Sequence, residues 1–360
     1  MSKCLINVAG NAYGELHGTN LYANGFACDL TMKILGKKIK DITVVGLGRI
    51  GRHFVRELLE LCNEIYICEQ NKDLDNLCYL LNYDSVYGLR AERFVNEDNY
   101  LLDTRSNKKI KIVDLDDIET EYVIDSTGNL ECLQRLSSLD SLVFTTNTPK
   151  QEFVDDYIIA NVKETFDGNV ISTSICDTTA IAPILSYLDR NYIIAQGHIT
   201  TLHPWLNYQN LSDNSVFSTD APSHYWKDYA LGRKSTEAII PKSTSAVAAL
   251  EMVYPEIATK LNSWSFRVPT PVVSSALINC ELSKKMTCIE SFIEDIVNTR
   301  GVKISKNNLI STDYIGANAN CIIDVNSVSL NNNHLYLALW YDNELGYVKQ
   351  VLSFIARVEK

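Results

Sequence analysis

The chain has 360 residues, of which 46% are hydrophobic and 21% charged, a composition that excludes a disordered protein and is long enough for two domains. Its 44 acidic and 33 basic residues give a net charge of −11, which argues against broad binding to nucleic acids or anionic membranes. No stretch approaches the roughly 18 consecutive apolar residues of a membrane helix, so we expect neither a nucleic-acid nor a membrane partner.

Residues 1–40 differ from the rest of the chain in being rich in glycine. We predict a short strand at residues 5–8 and treat the segment as an N-terminal extension. Its start, MSKCLINVAG, lacks the continuous apolar run of a secretory signal. The first arginine of the chain is Arg49, which disfavours an Arg-rich transit peptide.

The cysteines point to a reducing compartment. There are ten, scattered along the chain and never as a CxxC pair, so the sequence contains no obvious zinc site or redox dithiol. We therefore predict no metal ion and a cytoplasmic location.

From residue 42 the sequence alternates between short strands and helices. ITVVG is β-branched, as a buried parallel strand is, HFVRELLELC has apolar residues at helical spacing, and IYICE follows as the next strand. Further apolar runs lie at residues 122–124, 142–144 and 170–172. This alternation predicts an α/β Rossmann domain over residues 41–175.

A dinucleotide signature lies between the first strand and the first helix. Gly46, Gly48 and Gly51 match G-x-G-x-x-G, in which the glycines allow a tight turn and close approach to a pyrophosphate. Glu69 ends the next strand, where an acidic side chain can bind the adenosine ribose and would repel a 2′-phosphate. The cofactor predicted from this pattern is NAD.

Residues 176–344 are predicted to form an α+β catalytic domain with a mostly antiparallel sheet. A helix is expected to start at an N-cap Asp177, and long alternating strands follow, the last two joined by a hairpin at 331–333. In the C-terminal segment 345–360, apolar residues at helical spacing indicate a helix that packs back on the first domain. They are Val348, Val351, Leu352, Ile355 and Val358.

Cys176 is the candidate nucleophile, because it lies between a strand and the first turn of a helix. There the helix dipole and free N–H groups are expected to lower its pKa and to stabilise an oxyanion. A base is needed, and alternation along GHITTLH puts His198 and His203 on opposite faces of a strand. Alternation does not say which of them faces Cys176.

Several blocks between residue 42 and about residue 350 resemble the glyceraldehyde-3-phosphate dehydrogenase family and occur in its order. They are VGLGRIGR, YDSVYG, DSTG, the Cys176 segment with TTAIAP, TTLH, DAPSHYWKD, IIPKST, FRVPTP and WYDNELGY. The resemblance implies that Cys176 is the nucleophile and His203 its base, that Asn343 holds the nicotinamide carboxamide, and that Arg49 and Ile50 line the dinucleotide. It also implies a homo-oligomer, usually a tetramer.

The sequence departs from the family pattern mainly where anions would bind. Leu206 and Tyr208 stand where the family has phosphate-binding threonines, and Ile175 and Asp177 replace the serine and threonine that flank the nucleophile. Asp177 would repel inorganic phosphate. The loop between residues 209 and 221 is longer than in the family. The remaining candidates for binding a phosphate or carboxylate are Arg233, Thr244 and Arg267.

The sequence thus predicts NAD-dependent oxidation of a small aldehyde through a thiohemiacetal and an acyl thioester, with glyceraldehyde 3-phosphate as the default substrate. Three alternatives stay open: another aldehyde, such as erythrose 4-phosphate or one bearing a phosphonate, a carboxylate or no phosphate, a thioester cleaved by water instead of phosphate, and a silent NAD-binding paralogue.

Overall fold

The computed structural model describes residues 39, 41–89, 93–146, 152–218 and 225–358, which form two large β-sheets with helices packed against them and one small two-stranded sheet. The strand expected at 5–8 and the rest of the extension, apart from Ile39, lie outside these residues, as does part of the loop 209–221. The helices are α1 (Arg49–Leu58), α2 (Leu74–Asn82), α3 (Leu130–Leu136), α4 (Cys176–Tyr192), α5 (Ala246–Glu251), α6 (Pro255–Ala258), α7 (Ile289–Ile296) and α8 (Leu345–Ile355).

The strands follow one another along the chain, and one antiparallel pair, Tyr83–Asp84 with Gly88–Leu89, forms a small sheet apart from the two large ones. Those of the first half are β1 (Ile42–Val45), β2 (Ile65–Cys68), β3 (Tyr83–Asp84), β4 (Gly88–Leu89), β5 (Phe94–Glu97), β6 (Tyr100–Asp103), β7 (Lys108–Val113), β8 (Tyr122–Asp125), β9 (Leu142–Thr145), β10 (Asp156–Tyr157) and β11 (Val170–Ser172). Those of the second half are β12 (Ile194–Pro204), β13 (Ile240–Lys242), β14 (Leu261–Val268), β15 (Ser274–Leu282), β16 (Val302–Ser305), β17 (Cys321–Asp324), β18 (Ser329–Asn331) and β19 (His334–Tyr341).

The first sheet has the order β10-β11-β9-β8-β1-β2-β7-β6-β5. Its strands run parallel from β10 to β7, and β6 and β5 continue it as an antiparallel edge. The predicted α/β domain is therefore confirmed. Because β1 has β2 on one side and β8 on the other, the chain changes direction across the sheet at β1, and ligands of such folds bind outside the carboxyl ends of the strands at that point.

The second sheet has the order β13-β14-β12-β15-β19-β17-β16, with β18 paired to β19. Most of its pairs are antiparallel, which confirms the predicted α+β domain, but β12 with β14 and β16 with β17 are parallel. The hairpin expected at 331–333 joins β18 to β19, and Asn332 takes a positive φ of 55° in its turn. The boundary placed between residues 175 and 176 stays a prediction.

Helix α8 packs against the first sheet rather than the second. Its residues Val348, Val351 and Phe354 belong to the same buried cluster as the apolar side chains of β1 and α1. The ring of Phe354 meets Phe144 of β9 and Phe166 edge-on, with centroids 5.9 and 6.0 Å apart. The end of the chain thus returns to the domain with which the described part begins.

Helix α4 begins two residues earlier than the sequence suggested. Ile175 is its N-cap and Cys176 its first residue, so Asp177 lies inside the first turn and the prediction that Asp177 is the N-cap is wrong. The reason is local: Ser174 has a positive φ of 63°, which turns the chain out of β11 before Asp177 is reached. The carboxylate of Asp177 bonds to the hydroxyl of Tyr341 instead, at 2.8 Å.

None of the helices in the described ranges has the length and hydropathy that a membrane span requires.

Replacing Phe354 by alanine should lower the free energy of unfolding by about 3–5 kcal/mol, because the ring is fully buried and its loss leaves a cavity between α8 and β9. Denaturant unfolding measures the change. Tyr229→Ala, which removes an aromatic ring that is 86% exposed, is the control and should change stability by less than about 1 kcal/mol. Equal effects of the two variants would contradict the packing of α8 on the first sheet.

Candidate active site

A cleft of about 1450 Å³ opens at the carboxyl ends of β1, β2 and β8, at the point where the chain changes direction across the sheet. Both halves of the molecule line it. The first half contributes the glycine loop and Glu69, and the second contributes Cys176, His203 and Asn343. The predicted cofactor and catalytic residues therefore face one cleft.

The glycine loop has the backbone that its sequence requires. Gly46 has a φ of +85°, a conformation that side chains disfavour. A Cβ on Gly51 would lie 1.9 Å from the carbonyl oxygen of Gly46, so only glycine allows α1 to start this close to β1. Gly48 is the N-cap of α1 and provides no side-chain cap. The first N–H groups of the helix are thus without a side-chain cap at a place where a pyrophosphate fits.

Glu69 faces the same loop from the end of β2. Its Oε2 accepts a hydrogen bond of 2.6 Å from the N–H of Leu47, and its Oε1 accepts one of 2.7 Å from the N–H of Gln70. The carboxylate therefore joins the ends of β1 and β2 at the wall of the cleft. This is where a ribose hydroxyl would meet it, although part of its accepting capacity is already used by the backbone.

Asn343 carries an unsatisfied polar atom into the cleft. The residue is 5% exposed, and its Oδ1 is buried without a hydrogen-bond partner among the described residues. Such an atom is costly unless a donor reaches it. A carboxamide N–H of a nicotinamide is a donor of the required kind, so Asn343 fits the group that the sequence assigned to it.

The arginine of the glycine loop is held by carboxylates from distant segments. Arg49 donates from Nε and Nη2 to Glu344, at 2.6 and 2.7 Å, and from Nη2 to Asp84 at 3.4 Å. Burial opposes the charge of Arg49, but Glu344 and Asp84 outweigh burial and raise its pKa. Ile50, beside Arg49, also lines the cleft. The network joins α1 to the segment that precedes α8.

Cys176 and His203 form a close pair at the junction of the two halves. The Sγ of Cys176 lies 3.6 Å from the Nε2 of His203. The question left open by strand alternation is thereby answered, because His198 lies on the other face of β12 and meets the ring of Trp264, with centroids 5.8 Å apart. The Nδ1 of His203 faces the carbonyl oxygen of Pro204 at 2.8 Å and also contacts a guanidinium N–H of Arg267.

The electrostatics of the pair differ from the sequence-based expectation. Burial and the carboxylate of Asp177, 3.5 Å from Sγ, raise the pKa of Cys176, so the expected lowering is wrong for the protein without ligands. The sequence shows that Asp177 follows Cys176, but the contact between its carboxylate and Sγ depends on the fold. Burial and the charge of Arg267 lower the pKa of His203 to about 4. A neutral thiol beside a neutral imidazole is therefore favoured over an ion pair.

The three residues expected to bind an anion do not converge on the cleft. Arg233 is exposed and pairs with Asp213 at 2.8 Å. The Oγ1 of Thr244 accepts the N–H of Ala246, at the start of α5. Arg267 is buried behind His203, where Nη1 donates to Pro204 and Nη2 donates to Tyr208. None of the three is among the described residues that line the cleft.

Two tyrosines of the C-terminal motif belong to the site, although the sequence analysis assigned no role to them. Tyr341 donates its hydroxyl hydrogen bond to Asp177. The hydroxyl of Tyr347 donates to the carbonyl of Ser174 at 3.1 Å and lies 2.8 Å from the Oγ1 of Thr173. Both therefore fix the turn that carries Cys176. The WYDNELGY block that contains them was the only sequence signal for this role.

Comparison with known proteins gives one result for both halves. Residues 40–132 match the family model described as the NAD binding domain of glyceraldehyde 3-phosphate dehydrogenase, and residues 175–343 match that of its C-terminal domain. The chain is 30% identical over 344 residues to a cytosolic glyceraldehyde-3-phosphate dehydrogenase of Chondrus crispus, covering 89% of this chain and 98% of that protein. It is 29% identical over 338 residues to glyceraldehyde-3-phosphate dehydrogenase A of Escherichia coli K12, covering 89% and 99%.

Replacing Glu344 by glutamine should lower the free energy of unfolding at pH 7 by about 2 kcal/mol, because charged hydrogen bonds to Arg49 are lost. Burial raises the pKa of Glu344, but His53, whose Nε2 lies 3.7 Å from Oε2, and Arg49, which donates two hydrogen bonds, outweigh burial and lower it. A lowered pKa contributes stability above the unfolded-state pKa of about 4.3 and loses it as the pH falls. The difference from the wild type should therefore shrink below about pH 4.

Denaturant unfolding over a pH series measures this difference. Glu237→Gln, which removes an exposed partner of Lys234, is the control and should be nearly neutral. A difference that persists unchanged at low pH would contradict the charge-based origin of the effect.

Replacing Asp177 by asparagine should raise the rate at which iodoacetamide alkylates Cys176 at pH 7 by about tenfold, because the variant removes the negative charge beside Sγ. The rate is measured by mass spectrometry of the Cys176 peptide, with a chelator present throughout. Asp98→Asn, at an exposed site, is the control. An unchanged or slower rate in the Asp177 variant would show that burial alone suppresses the thiolate.

Proposed function

The chain belongs to the glyceraldehyde-3-phosphate dehydrogenase family of NAD-dependent oxidoreductases, and from that premise we propose that it oxidises a small aldehyde through a covalent thioester on Cys176. The observation that carries the proposal is the 3.6 Å distance between Sγ of Cys176 and Nε2 of His203 in the wall of the cofactor cleft. A silent paralogue needs neither group, nor the unpaired Asn343 beside them.

NAD would be held along the cleft by residues of both halves. Gly46, Gly48 and Gly51 would receive the pyrophosphate, with Arg49 and Ile50 beside it. Glu69 would accept from the adenosine ribose, and the Oδ1 of Asn343 would accept from the nicotinamide carboxamide. The chemistry that NAD supplies when bound is acceptance of the hydride from the substrate carbon.

Residues of the chain itself would accept the proton of the thiol and stabilise the developing oxyanion. Because burial and the carboxylate of Asp177 raise the pKa of Cys176, its proton would pass to Nε2 of His203 as Sγ attacks the aldehyde carbon. The first turn of α4 has no side-chain cap, so its N–H groups are available to the oxygen of the thiohemiacetal. Oxidation of that intermediate leaves an acyl thioester on Cys176.

The site favours an aldehyde that carries no phosphate group. Trp205, Leu206 and Asn207 line the cleft beside His203, and Arg233, Thr244 and Arg267 are bound elsewhere. Glyceraldehyde 3-phosphate is the substrate with which the other aldehydes are to be compared, because the relatives are named for it.

The second candidate activity concerns the last step and rests on Asp177. Its carboxylate lies 3.5 Å from Sγ of Cys176 and 3.8 Å from Nε2 of His203. Inorganic phosphate approaching the thioester would meet this negative charge, whereas water would not be repelled. The arrangement therefore favours hydrolysis to the free acid over phosphorolysis.

The protein is proposed to form a homo-oligomer and to be located in the cytoplasm, as the sequence analysis predicts. On the second sheet Trp264, Leu277 and Tyr336 are 63%, 45% and 38% exposed and share one face of β14, β15 and β19. An apolar face of this kind supports association with a second copy. Its direct test is the mass of the protein in solution.

Purified protein mixed with NAD should form NADH from at least one small aldehyde, and Cys176→Ala should lower the rate by about a thousandfold or more. The aldehyde panel holds glyceraldehyde 3-phosphate, erythrose 4-phosphate and their unphosphorylated analogues. We expect unphosphorylated aldehydes to turn over at least as well, and the rate to be indifferent to added inorganic phosphate. Cys288→Ser is the matched control and should keep full activity, because Cys288 lies at the start of α7, away from the cleft.

Turnover that rises and saturates with inorganic phosphate would contradict hydrolysis. A strict need for the phosphorylated aldehydes would contradict the proposed substrate. NADH formation that survives in Cys176→Ala would contradict the covalent mechanism, and no NADH from any aldehyde would favour the silent paralogue.

A further inference from the structure

Three side chains at the reactive cysteine have the chemistry and the spacing of a metal site. We propose that Cys176, Asp177 and His203 together bind Zn²⁺, which reversibly blocks the thiol. The blocking role rests on the proposed function, whereas the binding of the cation does not. The sequence spelled no zinc motif, because two of the ligands are adjacent in α4 and the third comes from β12.

The distances between the donor atoms are those of a tetrahedral site. Sγ of Cys176 lies 3.5 Å from Oδ1 of Asp177 and 3.6 Å from Nε2 of His203, and the latter two atoms are 3.8 Å apart. Zinc bonds of about 2.3 Å to sulfur and about 2.0–2.2 Å to nitrogen and oxygen, at tetrahedral angles, place the donors about 3.3–3.6 Å apart. Only the Asp177–His203 edge must shorten, by a few tenths of an ångström.

The donor set selects the cation. A thiolate, an imidazole and a carboxylate suit zinc, whereas magnesium and calcium prefer oxygen ligands alone. The thiolate and the carboxylate together balance a charge of +2. This balance matters because Asp177 and His203 are each only 6% exposed. A buried cation would be unfavourable without it.

Neighbouring groups orient two of the three ligands. The hydroxyl of Tyr341 donates to Oδ1 of Asp177 at 2.8 Å and fixes that carboxylate. The carbonyl oxygen of Pro204, 2.8 Å from Nδ1 of His203, favours the tautomer in which Nε2 carries the lone pair, whereas the N–H of Arg267 at the same Nδ1 favours the other tautomer. Outer hydrogen bonds of these kinds are typical of zinc ligands. Arg267, which contacts the same ring, opposes a cation, so we expect an affinity on the order of micromolar rather than that of a structural zinc site.

Binding exchanges a proton for the metal. The S–H bond of Cys176 breaks, the proton leaves to solvent, and the sulfur forms a bond to Zn²⁺ with no change of oxidation state. The fourth position opens toward the cleft, because Cys176 and His203 both line it. A sulfur bound in this way cannot attack an aldehyde, and a chelator that removes the cation restores the free thiol.

The test uses the full-length protein, stripped with a chelator and studied without NAD or aldehyde. Equilibrium dialysis against Zn²⁺ measures stoichiometry and affinity. Co²⁺ serves as a spectroscopic probe, because a thiolate ligand gives it a charge-transfer band. We expect one Zn²⁺ per chain with a dissociation constant on the order of micromolar, and a thiolate–cobalt band. Cys176→Ser should remove the band, and Asp177→Ser should weaken Zn²⁺ binding by about tenfold or more.

Cys288→Ser is the matched control, since Cys288 also lies beside a carboxylate, with its Sγ 3.2 Å from Glu290. It should leave affinity and band unchanged. Binding that disappears in Cys288→Ser, or that Asp177→Ser leaves at wild-type strength, would overturn the proposal, and so would the absence of Zn²⁺ binding in a wild type whose circular dichroism shows it to be folded. Because this experiment measures no turnover, its result does not depend on the outcome of the aldehyde assay.

Discussion

The segment from Tyr341 to Tyr347 holds the two halves of the molecule and the reactive cysteine in one arrangement. Tyr341 bonds to Asp177, Glu344 bonds to Arg49 of the glycine loop, and Tyr347 bonds to Ser174 and Thr173 before Cys176. The segment joins the last strand of the second sheet to the helix that packs on the first. Each half is thereby fixed relative to the other at the point where the cleft needs residues from both.

Asp177 determines the chemical character of the cleft. A carboxylate next to a thiol in a buried site disfavours the thiolate, so the nucleophile must be activated during attack rather than beforehand. In the proposed function the same charge would repel an incoming phosphate, and in the proposed zinc site it would complete the set of three metal donors. A neutral hydrogen-bonding residue at this position would change all three properties.

The residues predicted to bind an anion show that a motif does not by itself place a side chain in the cleft. Arg267 occupies a recognisable FRVPTP block but lies behind His203, where it lowers the pKa of that histidine. Arg233 lies on the surface with Asp213. Neither position follows from residue type, since an arginine reaches partners in several directions and the fold decides which are near. The apolar side chains of Trp205 and Leu206 face the cleft in their place.

The α/β and α+β halves, the glycine loop and the candidacy of Cys176 as nucleophile could all be predicted from the sequence. Those features rest on local rules: strand and helix periodicity, and backbone conformations that only glycine adopts easily, as at Gly46. Three features depend on the tertiary structure: which histidine faces the cysteine, the contact of Asp177 with Sγ, and the position of Arg233 and Arg267 outside the lining of the cleft. These are contacts between residues far apart in the chain, and burial and neighbouring charge set their strength only once the strands have paired.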